Sequence, residues 1–213
     1  MTHEYGSARE NMVANQVRTN DVTDFAIQDA MREVARERFC PPGKQYLAYA
    51  EAVIEYAPGW FLAAPRDVSK LLQALAPRPG AKALAICAPY AAAILGRIGA
   101  DVVLRVPEGD CARAVQAALV GEAVRIVPGD PKTAGSDGPY DLIVCEGAVE
   151  VAPQAWCDAV GVGGRLGAIE RVGPVGKARI YLRGEDGVLG RREVFDATPP
   201  VMPGFEAARG FAF

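Results

Sequence analysis

Apolar residues recur along this chain with two periods, and the change from one to the other divides it near residue 79. Before that point the spacing is helical. Met12, Val13, Gln16 and Val17 fall on one face of a helix predicted over 7–20, and Ser7 with Glu10 has capping-box form. Phe25, Ile27, Ala30, Met31 and Val34 make a second stripe over 21–36, with Asp21 or Asp24 as its cap. The doubled proline of Phe39-Cys40-Pro41-Pro42-Gly43 ends that unit. Residues 44–64 read as irregular, with apolar pieces at Ala52–Ile54 and Trp60–Ala63. Pro65 then opens a helix through Val68, Leu71, Leu72 and Leu75, which Pro77-Arg78-Pro79-Gly80 stops.

Beyond residue 79 short apolar runs alternate with helical stretches. Strands are predicted at 83–86, 101–106, 124–127, 140–145 and 165–169, and helices at 91–98, 111–119 and 154–160. A loop covers 129–139, and Gly163-Gly164 reads as a turn. Residues 177–183 and 190–196 read as an antiparallel pair around Glu185-Asp186-Gly187. Strand–helix alternation with short connections predicts a doubly wound α/β sheet with an N-terminal helical addition and an antiparallel C-terminal edge. We expect one domain over 1–213, with 1–78 as the helical region and 79–213 as the sheet.

Composition narrows the chemistry. A net charge of −3 and a pI near 5.3 give no footprint for nucleic acid. No apolar run is long enough for a membrane span, and the start, Met-Thr-His-Glu-Tyr, lacks a signal-peptide pattern, so a cytoplasmic location is expected. Five cysteines without C-x-x-C spacing point to buried thiols rather than disulfides or a metal site. The single histidine, His3, cannot anchor a histidine metal cluster.

The ordered motifs resemble one family. They are Met12-Val13 with Gln16-Val17, Arg36-Glu37 and Phe39-Cys40-Pro41, Tyr49, the Gly59 to Pro65 segment, and Pro79-Gly80. Gly129-Asp130, Pro139 to Val144, Val151-Ala152-Pro153 and Gly163-Gly164-Arg165-Leu166 complete the set. In that order they resemble the protein-L-isoaspartate O-methyltransferases, from about Arg9 to about Phe205. The resemblance implies a class I methyltransferase (Rossmann-like) fold and S-adenosylmethionine as methyl donor. It also implies an activity that methylates isoaspartyl carboxylates in aged proteins.

Three segments depart from the family pattern. Where members carry a Gly-x-Gly-x-Gly turn after the first sheet strand, this chain has Cys87-Ala88-Pro89. Cβ atoms and a proline ring there crowd the path of a cofactor, and Pro89 removes a backbone donor. At the end of the next strand, the acid that accepts ribose hydroxyls is replaced by Val106, with Glu108 two positions on as a substitute or a solvated loop residue. The substrate segment, rich in hydroxyls and amides in the family, reads Gly59-Trp60-Phe61-Leu62-Ala63-Ala64-Pro65. An anionic substrate buried against it loses solvation without compensation.

Four further groups remain as candidates. Asp130 aligns with a family residue that contacts adenine, or is a turn aspartate. Glu146 stands at the carboxyl end of a central strand, where ligands bind in such sheets, or is a surface glutamate. Cys87 lies near a helix N-terminus that lowers a thiol pKa, or is buried and inert. Trp60 and Phe61 plug the old pocket or anchor a partner. The expected cofactor-side residues are therefore Cys87, Ala88, Glu108, Asp130 and Glu146, with no catalytic residue and no metal. The leading expectation is a divergent family member with weak or lost methyl transfer that acts by binding a protein partner, with a homodimer as one form. The alternatives are an active methyltransferase with a rearranged cofactor loop, or a pocket for an unrelated ligand with Glu146 at its mouth. An acid facing an open cleft favours the enzyme, and a cleft filled by Trp60, Phe61 or Pro89 favours the binding protein.

Overall fold

The computed structural model describes residues 2–207, and the side chains from Tyr5 onward. His3 and the terminal Phe211 and Phe213 fall outside the described side chains.

The N-terminal region is helical, as its apolar stripes require. Helix α1 (Thr2–Met12) runs into a π-helical turn, Val13–Val17. Ser7 lies inside α1 rather than at its cap, because the helix starts before it. Helix α2 is shorter than predicted, Phe25–Glu33. Asp24 caps it, accepting from the backbone N–H groups of Ala26 and Ile27 at 2.9 and 3.3 Å. Arg9 ties α1 to the chain beyond α2: its Nε donates to the Tyr49 hydroxyl at 2.9 Å and its Nη2 pairs with Glu37.

The stretch read as irregular holds a hairpin. Strands β1 (Ile54–Ala57) and β2 (Trp60–Leu62) pair antiparallel across Pro58-Gly59, with Gly59 at φ +80°. Strands of four and three residues are too short to show a period of two. Helix α3 (Pro65–Leu75) starts on Pro65 and ends on Ala76 in the left-handed conformation.

The main sheet has seven strands: β3 (Lys82–Ile86), β4 (Asp101–Val106), β5 (Val124–Pro128), β6 (Tyr140–Val149), β7 (Val160–Arg171), β8 (Gly176–Arg183) and β9 (Leu189–Ala197). Their spatial order is β5-β4-β3-β6-β7-β8-β9. The five strands from β3 to β7 are mutually parallel, and β8 and β9 close one edge antiparallel. Helices α4 (Pro89–Ile98), α5 (Asp110–Ala118) and α6 (Gln154–Asp158) make the connections. Alternation along β3 feeds two cores. Ala83 and Ala85 face the N-terminal helices and α4, while Leu84 and Ile86 face Trp156, Tyr140 and Phe205. No helix among the described residues is long and apolar enough to cross a membrane.

Two boundaries differ from expectation. Gly163-Gly164 lies inside β7, where the pairing with β6 slips between Tyr140 and Leu142, so an expected turn is an irregularity within one long strand. Strand β6 continues to Val149 because its far end finds a second partner. Ala148 pairs with Ile169 of β7 and also bridges Val201 in the C-terminal segment.

Candidate functional site at the carboxyl ends of the central strands

The chain runs from β3 outward to β5, then returns across the sheet to β6. The crevice between the carboxyl ends of β3 and β6 is therefore the topological switch point, where open α/β sheets bind ligands. Cys87, Ala88 and the first turn of α4 leave β3 there. Ile86 pairs with Cys145, which places Glu146 of β6 beside Cys87.

Glu146 is not at an open mouth, as its place in the sequence suggested. Its register with β7 breaks between Val144 and Ala148, and the bulge turns the side chain inward to full burial. One carboxylate oxygen accepts from the backbone N–H of Ala91, in the first turn of α4, at 2.7 Å. The other accepts from the N–H of Ala63 at 3.0 Å. The Ala63 carbonyl in turn accepts from Arg36 Nη2 at 2.6 Å, and Arg36 Nε reaches the Ala48 carbonyl at 2.9 Å. Residues 59–65, the substrate segment of the resemblance, are thus tied to α4 by one buried carboxylate and to the chain at Ala48 by one buried guanidinium. Burial raises the Glu146 carboxyl to about 6, against the lowering pull of Arg36 and the two N–H groups.

The turn after β3 keeps a glycine-like backbone without the glycine. Cys87 has φ +49°, in the left-handed region, and its N–H donates to the Arg105 carbonyl at 2.9 Å. Ala88 and Tyr90 are fully buried, and Pro89 is the first residue of α4. Tyr56, from the hairpin, lies over this turn, with its hydroxyl 3.5 Å from both the Cys87 carbonyl and the Cys111 Sγ of α5. Leu62 and Val106 are fully buried beside it.

A strap of C-terminal chain closes the remaining side. The Ala148 N–H donates to the Pro200 carbonyl and the Met202 N–H to the Ala148 carbonyl, while Arg171 Nη1 holds the carbonyls of Thr198 and Pro199. A Cβ on Gly147 would lie 2.8 Å from Met202 Cγ, and one on Gly59 would lie 2.5 Å from Pro203 Cγ. Glycines at these two places let the strap and the hairpin come down on the strand ends.

The sequence candidates are only partly gathered. Cys87, Ala88 and Glu146 meet at the switch point, but as wall rather than as lining of an open cleft. Glu108 is exposed in the turn before α5, and the ribose-side position beside it is the buried Val106. Asp130 is exposed and serves its own turn, accepting from the Lys132 N–H at 2.9 Å. Trp60 and Phe61 are half-buried on the short hairpin, and the side chain over Cys87 is Tyr56, two positions before the turn. Tyr56, Cys111 and Met202 carry no motif, so local spacing could not single them out. Arg36 was visible only through the family pattern.

The thiols are withdrawn from solvent. All five cysteines are free and buried, and burial raises Cys87 well above its ordinary value, against the lowering that a helix N-terminus suggested. Burial pushes Cys40 up to about 11. Native protein treated with a disulfide thiol reagent at pH 8 is expected to titrate no thiol rapidly, with all five appearing in denaturant. One fast thiol in native protein would show that a wall of the site opens. No cluster of three or more metal-ligating side chains occurs among the described residues.

Comparison with known proteins fixes the family. Residues 7–183 match the family model described as protein-L-isoaspartate(D-aspartate) O-methyltransferase. The chain belongs to the protein-L-isoaspartate O-methyltransferase family. A relative of that name from Methylorubrum populi is 34% identical over 175 residues, covering 80% of this chain and 82% of its own. One from Methylorubrum extorquens is 35% identical over 188 residues, covering 84% and 81%. Among solved structures, a protein-L-isoaspartate O-methyltransferase superposes with a TM-score of 0.77 at 20% identity, over 92% of this chain and 66% of the other. A Plasmodium falciparum family member in complex with S-adenosyl-L-homocysteine superposes at 0.74 and 14% identity, over 93% and 97%. The fold is that of the class I methyltransferases.

In this arrangement the switch point is lined by groups of the protein that hold one another. A helix N-terminus at such a crevice is an anion site, and here a carboxylate of the protein itself already holds the Ala91 N–H. The ribose side offers the buried Val106 in place of an acid, and Tyr56 covers the turn.

Proposed function

We propose that this family member has given up methyl transfer at the ancestral donor site and acts by binding a protein partner. The observation that carries this reading is the buried Glu146 carboxylate, bonded to Ala91 and Ala63, in the crevice between β3 and β6. It fills internally the anion position that the helix N-terminus would otherwise offer to a ligand. It also fixes the substrate segment in a closed position. The scaffold around it is retained, which fits selection for a surface rather than for a cleft.

A second reading is an active S-adenosylmethionine-dependent protein carboxyl methyltransferase with a rearranged cofactor loop. The comparisons favour it, because relatives 34–35% identical over about four fifths of this chain carry the enzyme's name. On that reading the β1–β2 hairpin and the strap lift to admit the donor.

Calorimetric titration with S-adenosylmethionine and S-adenosylhomocysteine separates the two. The first reading expects no heat and no thermal shift at millimolar ligand. Binding at about 10 μM or tighter, about −7 kcal/mol, overturns it. Methylation of an isoaspartyl peptide would then establish the second.

A further inference from the structure

The opposite end of the sheet carries an open groove that the closed donor site does not explain. Two cavities of about 640 and 350 Å³ adjoin there, both lined by Ala76 and Arg165. The larger lies between the end of α3 and the β8–β9 hairpin, and the smaller runs along the loop after α3 to the start of β6. The floor of the larger is aliphatic, with Ala74, Ile180, Leu182 and Val188. Leu182 and Val188 are 45% and 64% exposed, far more than apolar side chains with a packing partner. Gly190 adds open backbone, since a Cβ there would meet nothing closer than 3.9 Å.

The charges along this groove are unbalanced. Arg165, Arg191 and Arg192 line the larger cavity and Arg78 the smaller, against two carboxylates, Asp186 and Asp141. Both carboxylates are already engaged by backbone, Asp186 with the Val188 N–H at 3.0 Å and Asp141 with the Lys82 N–H at 2.8 Å. Arg165 donates to the Leu75 carbonyl at 3.1 Å. Arg78, Arg165 and Arg192 make no ion pair within 4 Å among the described residues. Arg191 reaches Glu170 at 4.0 Å, so Arg78, Arg165 and Arg192 are the groove's guanidinium groups without a carboxylate partner among the described residues, a local excess of positive charge in a chain of net charge −3.

We propose that this groove binds an acidic peptide segment of a partner protein, with an aliphatic side chain on the Ile180–Leu182 floor and carboxylates on the arginines. Guanidinium groups pair with carboxylates through two parallel bonds, and the apolar floor supplies the buried contact that pure charge attraction lacks. The groove offers no aromatic ring for stacking bases, and the chain's acidic balance disfavours a nucleic acid backbone. The proposal rests on the binding reading given above and names the chemistry of the partner.

Fluorescence anisotropy of a labelled peptide of alternating glutamate and leucine tests it, with a lysine–leucine peptide as control. The acidic peptide is expected to bind and the basic one not. The double variant Arg78→Glu/Arg192→Glu changes two exposed, unpaired side chains and is expected to weaken binding at least tenfold with the fold intact. Raising the salt should weaken the native protein's binding in the same direction. Absence of binding, or binding that the double variant leaves unchanged, overturns the proposal. So does a dimer in light scattering that the double variant dissolves, because the face is then an interface between copies of this chain. Donor binding with methyl transfer, by contrast, overturns the reading beneath it whatever the peptide does.

Discussion

Glu146→Ala is expected to destabilise the protein by about 2–5 kcal/mol at pH 7, since each buried donor left without an acceptor costs about 1–3 kcal/mol. The variant leaves the Ala63 and Ala91 N–H groups without an acceptor inside the core. It also leaves Arg36 buried without the nearby negative charge, and Arg36 Nη1 already lacks a partner. Glu146→Gln keeps the shape and one acceptor oxygen but turns an amide nitrogen toward one of the two N–H groups, so a loss of about 1–3 kcal/mol is expected. The pH dependence separates charge from shape. The folded carboxyl titrates at about 6 against an ordinary 4.5, so the folded state binds the proton more tightly than the unfolded state. Its contribution to stability is therefore fullest below about pH 4.5 and is lost as pH rises through about 6. The difference is about 2 kcal/mol, from about 1.4 kcal/mol per pH unit. Urea unfolding of native protein and the glutamine variant at pH 4.5, 5.5 and 7 measures this directly. The gap between the two should change by that amount across the window, and a constant gap would mean that the Glu146 carboxyl titrates alike in the folded and unfolded states.

The fold was legible because it rests on periodicity. The runs at Ala83–Ile86 and Leu142–Val144 announce strands buried on both faces, and Val68, Leu71, Leu72 and Leu75 announce α3. What local pattern could not give was any feature set by two distant segments. The end of β6 is fixed by Val201, more than fifty positions away, and so extends past Cys145, where the strand's apolar run stops. The inward turn of Glu146 comes with the break in the β6–β7 register between Val144 and Ala148, which no local pattern marks, so a surface glutamate and a cleft carboxylate are the natural readings of the sequence. The loss of the glycine turn was plain in the sequence. The retained left-handed backbone at Cys87 was not, because a cysteine there argues against it. Family resemblance supplied the location of the crevice, and only coordinates showed that Tyr56 and Met202 lie across it.

Tyr56→Ala is expected to cost about 3–5 kcal/mol, as for other large aromatic side chains removed from a core. The ring is 6% exposed and sits where the hairpin, the Cys87 turn and α5 meet, so no neighbour can fill its place without moving one of the three. The space it leaves borders Cys87 and Cys111. In the variant these two thiols are expected to react with a thiol reagent many-fold faster, while Cys145, fully buried within β6, stays protected. The same variant decides between the two functional readings. If the hairpin alone closes a working donor site, removing Tyr56 should create or strengthen binding of S-adenosylhomocysteine, read by calorimetry on protein shown to be folded. If the site is closed from within, the variant should still bind nothing, because Glu146 continues to hold the Ala91 N–H and Val106 still stands where a ribose would need an acid. Only Tyr56→Ala combined with Glu146→Ala, on protein shown to be folded, would then free the Ala91 N–H at the end of α4, and a helix end freed without regained affinity would place the loss in the turn and the ribose side rather than in the cover above them.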